Sequence, residues 1–598
     1  MVRGTRYFVI FIMTSMVLST LPMSVSSVNH SYTGPWIDKV HARLLDDNDI
    51  QVEALLDDEV DILGATLDPM YLPELEDVDS IATVRTPRNG YAYLSINTDK
   101  YPLSITAFRR AFAFALNKSA IADVLWNGMA DPLDSCVPRM NPYSIEGTLP
   151  YDYYDANYTM AAKLLDDAGF IDIDEDGWRE APDGSAFNLF IEISHVIPTA
   201  TQIGTYAVDA LKCIGIDAVS VPSDYYEYLN RLYWHGNYDV VLMGRDFQNM
   251  DVDWLGYAYW GDYSRVPGWN FARFNNATFD AWRDQLLRSI DYEEVREAAE
   301  EMQKIWVYEC PEIICYENTI LSAYRTDRFV GFVEDMSIGV PGWWSYYKTQ
   351  LLPAFGGPFG GTLRTTMSYD IQTFNFMMMP IKYPLEGMLY MMYDSLLKPG
   401  PDGIDIPWLA ESYLVESHAD NPSVPEGYTQ VTFDIRQNVT WSDGTPLTAD
   451  DVSYSINYYR ETKGPYGPDL WNMTQAVMMT PYKVRFHFNT ESIWHLHAIT
   501  YKPILPKHIF VPQVGYDGWD EWNPLPGDVT LVTSGPFLVD EYEIGSHVLF
   551  SYNSKYFFGS GEGPDPTDTA NAFPVEPVLL VVGISIGTIV IFSITRRR

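Results

Sequence analysis

The chain has 598 residues, with 39 Lys and Arg against 80 Asp and Glu, so its formal net charge is −41 at pH 7. That charge excludes general affinity for nucleic acid, because phosphate contacts need a positive surface. A hydrophobic fraction of 47% excludes a disordered chain, and four cysteines exclude a disulfide-dense scaffold.

Residues 1–28 have the pattern of a secretory signal peptide. Arg3 and Arg6 precede an apolar run at 7–21, and small serines follow within 24–27. A basic region, a short apolar region and small residues near a cleavage site are typical of such signals. The sequence therefore predicts export, with an uncleaved anchor as the alternative.

Helical and extended patterns alternate along residues 36–352 without a fixed period, which favours an α/β fold. The predicted elements in this part are a helix followed by a short strand at 60–63, a strand at 91–97, one helix from Ser104 to Asn127, a helix at 159–168 ended by Gly169, strands at 187–193 and 238–243, and a long helical stretch at 277–307.

An acidic loop interrupts this series. Aspartates occupy positions 1, 3 and 5 and Gly177 occupies position 6 of a pattern that matches the first half of a calcium-binding loop. The predicted ligands are the side chains of Asp172, Asp174, Asp176 and Asp183 and the backbone carbonyl of Trp178. A structural Ca²⁺ is therefore possible, and an acidic solvated turn is the alternative. No cofactor is otherwise required.

A change in composition at 353–361 (PAFGGPFGG) predicts a join between two halves of the body, because no helix or central strand tolerates so many Gly and Pro residues. A surface loop is the alternative. Beyond the join, the predicted elements are strands at 362–367, 431–435, 484–489 and 547–552 and a helix at 448–463.

The C-terminal part has the pattern of a membrane anchor. Residues 559–576 predict a disordered linker, and residues 577–595 are uncharged and about 28 Å long as a helix, close to the thickness of a bilayer core. Three arginines follow at 596–598, which predicts a cytoplasmic tail and a body outside the cell. A buried core helix is the alternative.

No motif in the body points to an enzyme. The GxSxG pattern from Gly583 to Gly587 lies inside the predicted membrane span, where a nucleophile elbow between strand and helix cannot form. The sequence contains no HExxH, Walker or paired CxxC motif. We therefore expect a non-enzymatic protein.

Several motifs together give the chain a family resemblance. They are TWSDGTPLTADDV at 440–452, FRRAFAFALNK at 108–118, GMADP at 128–132, KLLDDAGF at 163–170, LAES at 409–412, SGPF at 534–537 and GTLR at 361–364. With them the chain resembles the family 5 solute-binding proteins of ABC importers, the oligopeptide- and dipeptide-binding class.

The order of these motifs differs from the order in the family, where the GTLR strand opens the mature chain and the RRA helix comes later. Here the later half occupies about 35–352 and the earlier half about 361–558. The chain thus resembles a circular permutant, with two incomplete copies as the rival interpretation. Such rearrangement is tolerable where domain termini lie close together at the surface.

The resemblance implies a two-lobed, periplasmic-binding-protein-like α/β fold with an added third domain. A first, discontinuous lobe would comprise about 35–88, 318–385 and 528–558. The second lobe would be about 89–317, and the extra domain about 386–527. If the chain is permuted, residues 558 and 35 should lie close together on the first lobe.

In peptide-binding members of this family, an Asp that follows a Tyr-Asp strand holds the amino terminus of the ligand. Here that region has Arg245 in place of the usual Trp, and the spacing to an Asp is altered. The resemblance therefore leaves sugars or other ligands as alternatives to peptides. The candidate ligand-binding residues are Arg245, Asp246, Asp251, Asp253, Trp254 and, on the first lobe, Tyr369, with Asp251 narrowly preferred over Asp246.

These inferences combine into one functional hypothesis. The chain is expected to be a membrane-anchored receptor outside the cytoplasm that captures peptides or similar small polar solutes by lobe closure. Its partners would be the solute and the permease subunits of an ABC importer. The alternative is a surface-layer or sensory protein that uses the same fold without transport.

Overall fold

The computed structural model describes residues 33–64, 67–195, 198–247, 249–336, 338–371, 373–381, 390–462, 464 and 466–559. The predicted signal peptide, the predicted membrane span and the linker beyond Gly559 lie outside these residues. Within the described ranges, no helix combines the length and apolar character that a membrane span requires.

The strands of the described residues are β1 (Lys39–Leu44), β2 (Ile81–Pro87), β3 (Gly90–Ile96), β4 (Ala130–Asp131), β5 (Leu189–Ser194), β6 (Ala218–Ser223), β7 (Val240–Asp246), β8 (Glu312–Arg325), β9 (Phe329–Val330), β10 (Gln350–Leu351), β11 (Thr362–Met367), β12 (Leu397–Pro399), β13 (Asp405–Pro407), β14 (Ala410–Ser417), β15 (Thr429–Ile435), β16 (Met473–Thr480), β17 (Lys483–Phe488), β18 (Phe537–Glu543) and β19 (His547–Tyr552).

The α-helices are α1 (Asn48–Leu56), α2 (Leu72–Glu76), α3 (Thr106–Ala115), α4 (Lys118–Leu125), α5 (Tyr158–Ala168), α6 (Pro198–Cys213), α7 (Tyr225–Asn230), α8 (Leu255–Ala258), α9 (Ala277–Asp280), α10 (Arg283–Arg288), α11 (Tyr292–Glu309), α12 (Trp343–Lys348), α13 (Ala449–Thr462), α14 (His495–Thr500) and α15 (Lys507–Ile509). Short 3₁₀ or π turns occur at Pro69–Tyr71, Arg231–His235, Gly261–Tyr263, Pro353–Phe355, Phe376–Ile381, Pro468–Leu470 and Phe510–Val514.

Local sequence explains where several of these helices begin and end. The Asn157 side chain accepts a hydrogen bond from the Met160 N–H at the start of α5, and Gly169 ends that helix at φ +90°. Asp291 caps α11 in the same way, with Glu293 and Glu294 in its first turn. Such caps satisfy backbone N–H groups that have no partner inside the helix.

The first sheet has the strand order β11-β1-β19-β18. Its strand β1 pairs in parallel with β11, and antiparallel with β19. Residues that are far apart in the chain therefore meet here, and the Tyr552 N–H donates to the Asp38 carbonyl at 2.8 Å. We call this sheet and the segments around it, from residues 33–89, 317–381 and 528–559, the first lobe.

The second sheet has the strand order β2-β8-β3-β7-β5-β6, with β4 on the edge of β8. Strand β8 spans 14 residues: Glu312–Tyr316 pairs with β3, whereas Thr319–Arg325 pairs with β2. We call residues 90–316 the second lobe. The chain crosses between the lobes at two adjacent places, residues 87–90 and 316–319.

A third sheet, β14-β15-β17-β16, is antiparallel throughout. Helix α13 packs against its strands β16 and β17. We call residues 390–527, which contain this sheet, the extra domain.

The buried apolar side chains fall into separate cores. One core lies within the second lobe, from Tyr91 to Tyr316, and includes Trp494 of the extra domain. Another joins the first lobe and the extra domain in one continuous cluster. Bodies with separate cores are expected to move relative to each other, whereas a shared core ties its elements together.

The α/β fold class predicted from the sequence is confirmed, and so are the strand at 362–367, the strand at 547–552 and the helix at 159–168. Strand β1 was not predicted, because its residues were assigned to the helix that follows.

Three predicted elements are wrong. The helix expected from Ser104 to Asn127 is two helices, because Leu116 is extended and Asn117 caps the second one. The long helix at 277–307 is three, with an extended Ser289 before Asp291. The strand at 60–63 is reduced to isolated bridges from Ile62 to residues 324 and 365.

The shared core depends on Trp408, which is fully buried. Its ring contacts Trp343 and Tyr347 of α12, and its Nε1–H donates to Asp394 at 2.9 Å. We expect Trp408→Ala to lower the free energy of unfolding by about 3–5 kcal/mol, the usual cost of removing a large buried aromatic side chain. Denaturant titration of the full chain measures this change.

The matched control is Trp471→Ala, because Trp471 is 51% exposed and its ring makes an edge contact with Tyr263 of the second lobe. That variant should lose less than about 1.5 kcal/mol, the range of one aromatic pair. Equal losses in the two variants would contradict the role given to Trp408.

Candidate functional site

Strand β7 and the loop after it carry most of the candidate residues. The strand pairs with β3 so that Asp246 lies opposite Gly90, beside the crossing between the lobes. Residues 247 and 249–254 lie between this strand and α8. The end of β7 is thus placed where the second lobe meets its neighbours.

Arg245 lies inside a group of tyrosines. Its guanidinium donates to the Tyr259 hydroxyl at 2.5 Å and lies 3.7 Å from the Glu312 carboxylate. Tyr259 in turn donates to Glu312 at 2.6 Å. Burial raises the pKa of Glu312, and the Arg245 charge opposes that rise. Arg245 therefore neutralises a buried carboxylate.

Trp254 supports the loop. Its ring stacks on Phe247, with centroids 4.6 Å apart, and Arg245 lies over its face at 5.5 Å. Its Nε1–H donates to the Asp251 carbonyl at 3.0 Å. This bond fixes the backbone from which the Asp251 side chain projects.

Asp246 is paired with Arg88 at the crossing between the lobes. The Arg88 Nε and Nη2 donate to the two carboxylate oxygens at 2.6 and 3.0 Å. A third bond runs from Arg88 Nη1 to Asn318 at 2.7 Å. Because both of its oxygens accept from one guanidinium, the charge of Asp246 is already balanced.

Asp251 reaches the extra domain. Its Oδ2 accepts from Asn249 at 3.1 Å and lies 2.5 Å from His497 Nδ1. On the other side of the ring, His497 Nε2 lies 3.0 Å from Asp405. Tyr501 also donates to Asp405. One imidazole thus connects a carboxylate of the second lobe with a carboxylate of the extra domain.

Asp253 has a different environment. Burial and the nearby charges of Asp251 and Asp469 raise its pKa to about 7, and the Trp254 N–H opposes that rise. Asp469 belongs to the extra domain and accepts from Lys502 at 2.7 and 2.9 Å. Among the described residues, no side chain donates to the Asp253 carboxylate.

The second lobe and the extra domain also meet through uncharged contacts. The Trp494 Nε1–H donates to the Leu286 carbonyl at 2.7 Å, and the Ile493 N–H lies 3.3 Å from the Ser289 carbonyl. Ile493 and Trp494 directly precede α14, the helix that carries His497. The carboxylates at 251, 253, 405 and 469 therefore line a boundary between two bodies.

The structure brings together Asp251 and Asp253 of the predicted residues, and it adds Asp405, Asp469 and His497. No sequence motif marks these three, and His497 lies 246 residues from Asp251. Asp246 lies at the crossing instead. Tyr369, two residues after β11, is partly buried, and its role stays a prediction.

The acidic loop forms a compact turn. Carboxylate oxygens of Asp172, Asp174 and Asp176 all lie within 4.8 Å of one another. Two oxygens that bind one Ca²⁺ at about 2.4 Å can be no farther apart than about 4.8 Å, so these side chains fit that ion. Asp183 lies outside this group, and its carboxylate accepts hydrogen bonds from the Ser185 N–H and hydroxyl instead.

The four cysteines are unpaired thiols. Cys136, Cys310 and Cys315 are buried, and Cys213 is exposed. Burial raises the pKa of the Cys310 thiol to about 11.

We expect saturating Ca²⁺ to raise the melting temperature of the full chain, since an ion that binds only the folded state stabilises it by about 2.7 kcal/mol at a hundredfold excess over Kd. Asp174→Asn should abolish the rise. Asp183→Asn should retain it, because Asp183 is not in the group. Melting curves that are identical in Ca²⁺ and in chelator would leave only the acidic turn.

Comparison with known proteins gives partial matches. A probable ABC transporter-binding protein of Deinococcus radiodurans is 31% identical over 33% of this chain and 33% of its own length. The glutathione-binding protein GsiB of Pectobacterium atrosepticum is 24% identical over 43% of this chain and 48% of its own length. The chain thus spans between about a third and a half of the length of these curated relatives.

Among solved structures, the mannohexaose-bound periplasmic oligopeptide-binding protein of Thermotoga maritima is 24% identical, with a TM-score of 0.45, over 51% of this chain and 61% of that one. The model of the bacterial extracellular solute-binding proteins, family 5 middle, matches residues 25–265 and 406–572. Since that match covers more than half of the chain, the protein belongs to the family 5 extracellular solute-binding proteins.

Proposed function

We propose that this protein is the solute-binding receptor of an ABC importer and that it captures short peptides or similar polar solutes with a cationic group. The observation that carries this proposal is the group of carboxylates between the second lobe and the extra domain. It supplies negative charge at the boundary between these two bodies.

Two acceptors in this group are available to a ligand. Asp251 uses Oδ2 for its bonds to Asn249 and His497, and its Oδ1 accepts none of the hydrogen bonds of the described residues. The Asp253 carboxylate likewise accepts from no described side chain. An ammonium group has three donors and would satisfy both carboxylates, which lie two residues apart.

The charges around Asp253 favour a cationic partner. Its neighbours Asp251 and Asp469 are acidic, and they contribute to raising its pKa to about 7. A positive group bound beside it would relieve this repulsion and lower that pKa again. Aromatic faces at Phe247 and Trp254 lie on the same loop and would pack against the apolar part of the ligand.

Closure follows from the arrangement of the cores. The second lobe has its own core, and the chain leaves it through two adjacent extended segments. Small backbone changes there would move the second lobe away from the extra domain and back again, as in hinge opening and closure around a ligand. A ligand between Asp253 and Asp469 would then touch both bodies.

One curated relative supports this choice of ligand class. The Pectobacterium relative is a glutathione-binding protein, and glutathione is a peptide with a free ammonium group. The Thermotoga protein binds mannohexaose, so an oligosaccharide is the competing ligand. The carboxylates favour the peptide, because a neutral sugar does not balance their charge.

The receptor would act outside the cytoplasm, tethered by the predicted span at 577–595 and delivering its solute to permease subunits in the same membrane. The signal-peptide pattern and the three terminal arginines support this topology. A surface tether keeps the receptor close to its permease, which raises the effective concentration of one for the other.

We also infer that the two halves of the fold are circularly permuted. The pairing of β1 with β19 supports this inference, as does the packing around Tyr347. The Tyr347 ring lies 6.1 Å from the Tyr556 ring, and a β-carbon at Gly34 would lie 2.8 Å from it. Residues 34 and 556 therefore share a neighbour.

We expect Asp253→Asn to weaken the binding of free-amine tripeptides by about 1.5–3 kcal/mol, the range for a hydrogen bond to a charged group. Calorimetry on the full chain, with Ala-Ala-Ala and its N-acetylated twin within a peptide panel, measures this loss. Because Asp253 ionises as the pH rises through about 7, free-amine peptides should bind more tightly at pH 8 than at pH 6. The affinity for the N-acetylated peptide should not change between these two pH values.

The control is Asp209→Asn, an exposed aspartate on α6 of the same lobe, which should leave the affinity unchanged. If an oligosaccharide binds and no peptide does, the receptor function stands and amine capture is wrong. If neither class binds, the proposed receptor function is itself wrong.

The permutation predicts that a rearranged chain will fold. In this variant, residue 558 is joined to residue 35 by a short Gly linker, and the new ends lie within 353–361. Its free energy of unfolding should differ from that of the parent by less than about 2 kcal/mol. The control is the same join opened inside β3, all of whose residues are buried. If the first variant fails to fold as the second does, the two ends do not meet as inferred.

A further inference from the structure

His497 connects two bodies that have separate cores. It lies on α14 of the extra domain and contacts Asp251 of the second lobe through Nδ1 at 2.5 Å. Its Nε2 contacts Asp405 of β13 at 3.0 Å. Since both ring nitrogens lie beside carboxylates, the ring acts as a double donor, which only the imidazolium form can do.

The groups that face this ring are nearly all acidic. Asp251 and Asp253 approach it from the loop after β7, and Asp405 approaches it from β13. The Tyr501 ring lies 5.2 Å from it and donates to Asp405. The neighbouring cation Lys502 is paired with Asp469. The imidazolium therefore supplies the positive charge nearest to Asp251.

We propose that His497 is a positioning residue that latches the second lobe to the extra domain in the absence of solute, by bridging Asp251 and Asp405. This inference rests on the proposed function, because the boundary that the latch holds closed is the proposed ligand-binding boundary. The imidazolium occupies one oxygen of the carboxylate that a ligand cation would use. It therefore acts as a tethered substitute for that cation.

The latch makes closure depend on protons. Burial alone would lower the pKa of His497, but the hydrogen bonds to Asp251 and Asp405 raise it to about 10. With the boundary open, the ring loses Asp251 but keeps Asp405, which belongs to the same domain, so its pKa should fall from that value. The bridge therefore contributes fully below the lower pKa of the open form and is lost as the pH rises through about 10. Between these limits, closing takes up a proton.

The experiment measures opening without any solute, so its result does not depend on the proposed function. Spin labels are placed on the full chain at the exposed Cys213 of the second lobe and at Met479→Cys in the extra domain, where Met479 is 47% exposed. The other three cysteines are buried and react poorly. Pulsed dipolar spectroscopy then gives the distance distribution at pH 7 and pH 10.

In the parent chain, we expect a short distance to dominate at pH 7, and the ratio of open to closed forms to rise at least about tenfold by pH 10. In His497→Gln, the open form should gain about tenfold or more at pH 7, because the charge-assisted hydrogen bond to Asp251 across the boundary is lost. The pH response between 7 and 10 should largely disappear in this variant.

The control is Trp494→Phe, which removes the bond to the Leu286 carbonyl at the same boundary without removing a titrating group. It should favour opening but keep the pH response. If His497→Gln misfolds, Asp251→Asn provides the second test, since it removes the carboxylate charge on the other side of the boundary and should open the boundary in the same direction. A His497→Gln or Asp251→Asn chain with the parent's distances and pH response would overturn the latch.

Discussion

The separation of the hydrophobic cores is the constraint on which the rest of this structure depends. A packed core resists internal shear, so the second lobe moves as one body if it moves at all. The chain leaves that lobe only near residues 87–90 and 316–319 along the β2–β3 and β8 strands. Any movement between the lobes must therefore bend these two crossing segments. Arg88 and Asn318 lie in them, and Asp246 is bonded to Arg88 there.

The carboxylates near the boundary differ in whether their charges are balanced within their own body. A buried carboxylate is stable only if it is paired, hydrogen-bonded or protonated. Glu312 is balanced within its lobe by Arg245, and Asp469 is balanced within the extra domain by Lys502. Asp251 instead pairs with His497 of the extra domain, and Asp253 lies beside Asp469 of that domain without a side-chain donor among the described residues.

Much of the fold was predictable from the sequence, because its strands and motifs are local. The TWSDG segment, the strand at 362–367 and the capped helix ending at Gly169 each carry their signal within a dozen residues. Helix breaks were harder. Leu116 and Ser289 are ordinary helix residues, and only the caps that follow them show that the helix stops.

Of the candidate site, only the residues of the second lobe were predictable from the sequence. Strand β7 and the acidic residues after it are contiguous, so Asp251 and Asp253 could be named. Their partners could not, because the Asp251–His497 contact joins residues 246 positions apart and no short motif surrounds His497. Asp246 was a reasonable candidate by position, but its pairing with Arg88 depends on the register between β3 and β7.

The core shared by the first lobe and the extra domain has a consequence for how such receptors diversify. Trp408 lies among side chains from α12 and the segment after β19, so the extra domain is not an independent module that can be exchanged at its ends. Its sequence must change together with that of the first lobe. Among the described residues, the second lobe shares its core with only Trp494 and the adjacent Ile493 of the extra domain, so it is freer to vary separately. New specificities should therefore arise most readily by changes in the second lobe, with the remainder inherited as one unit.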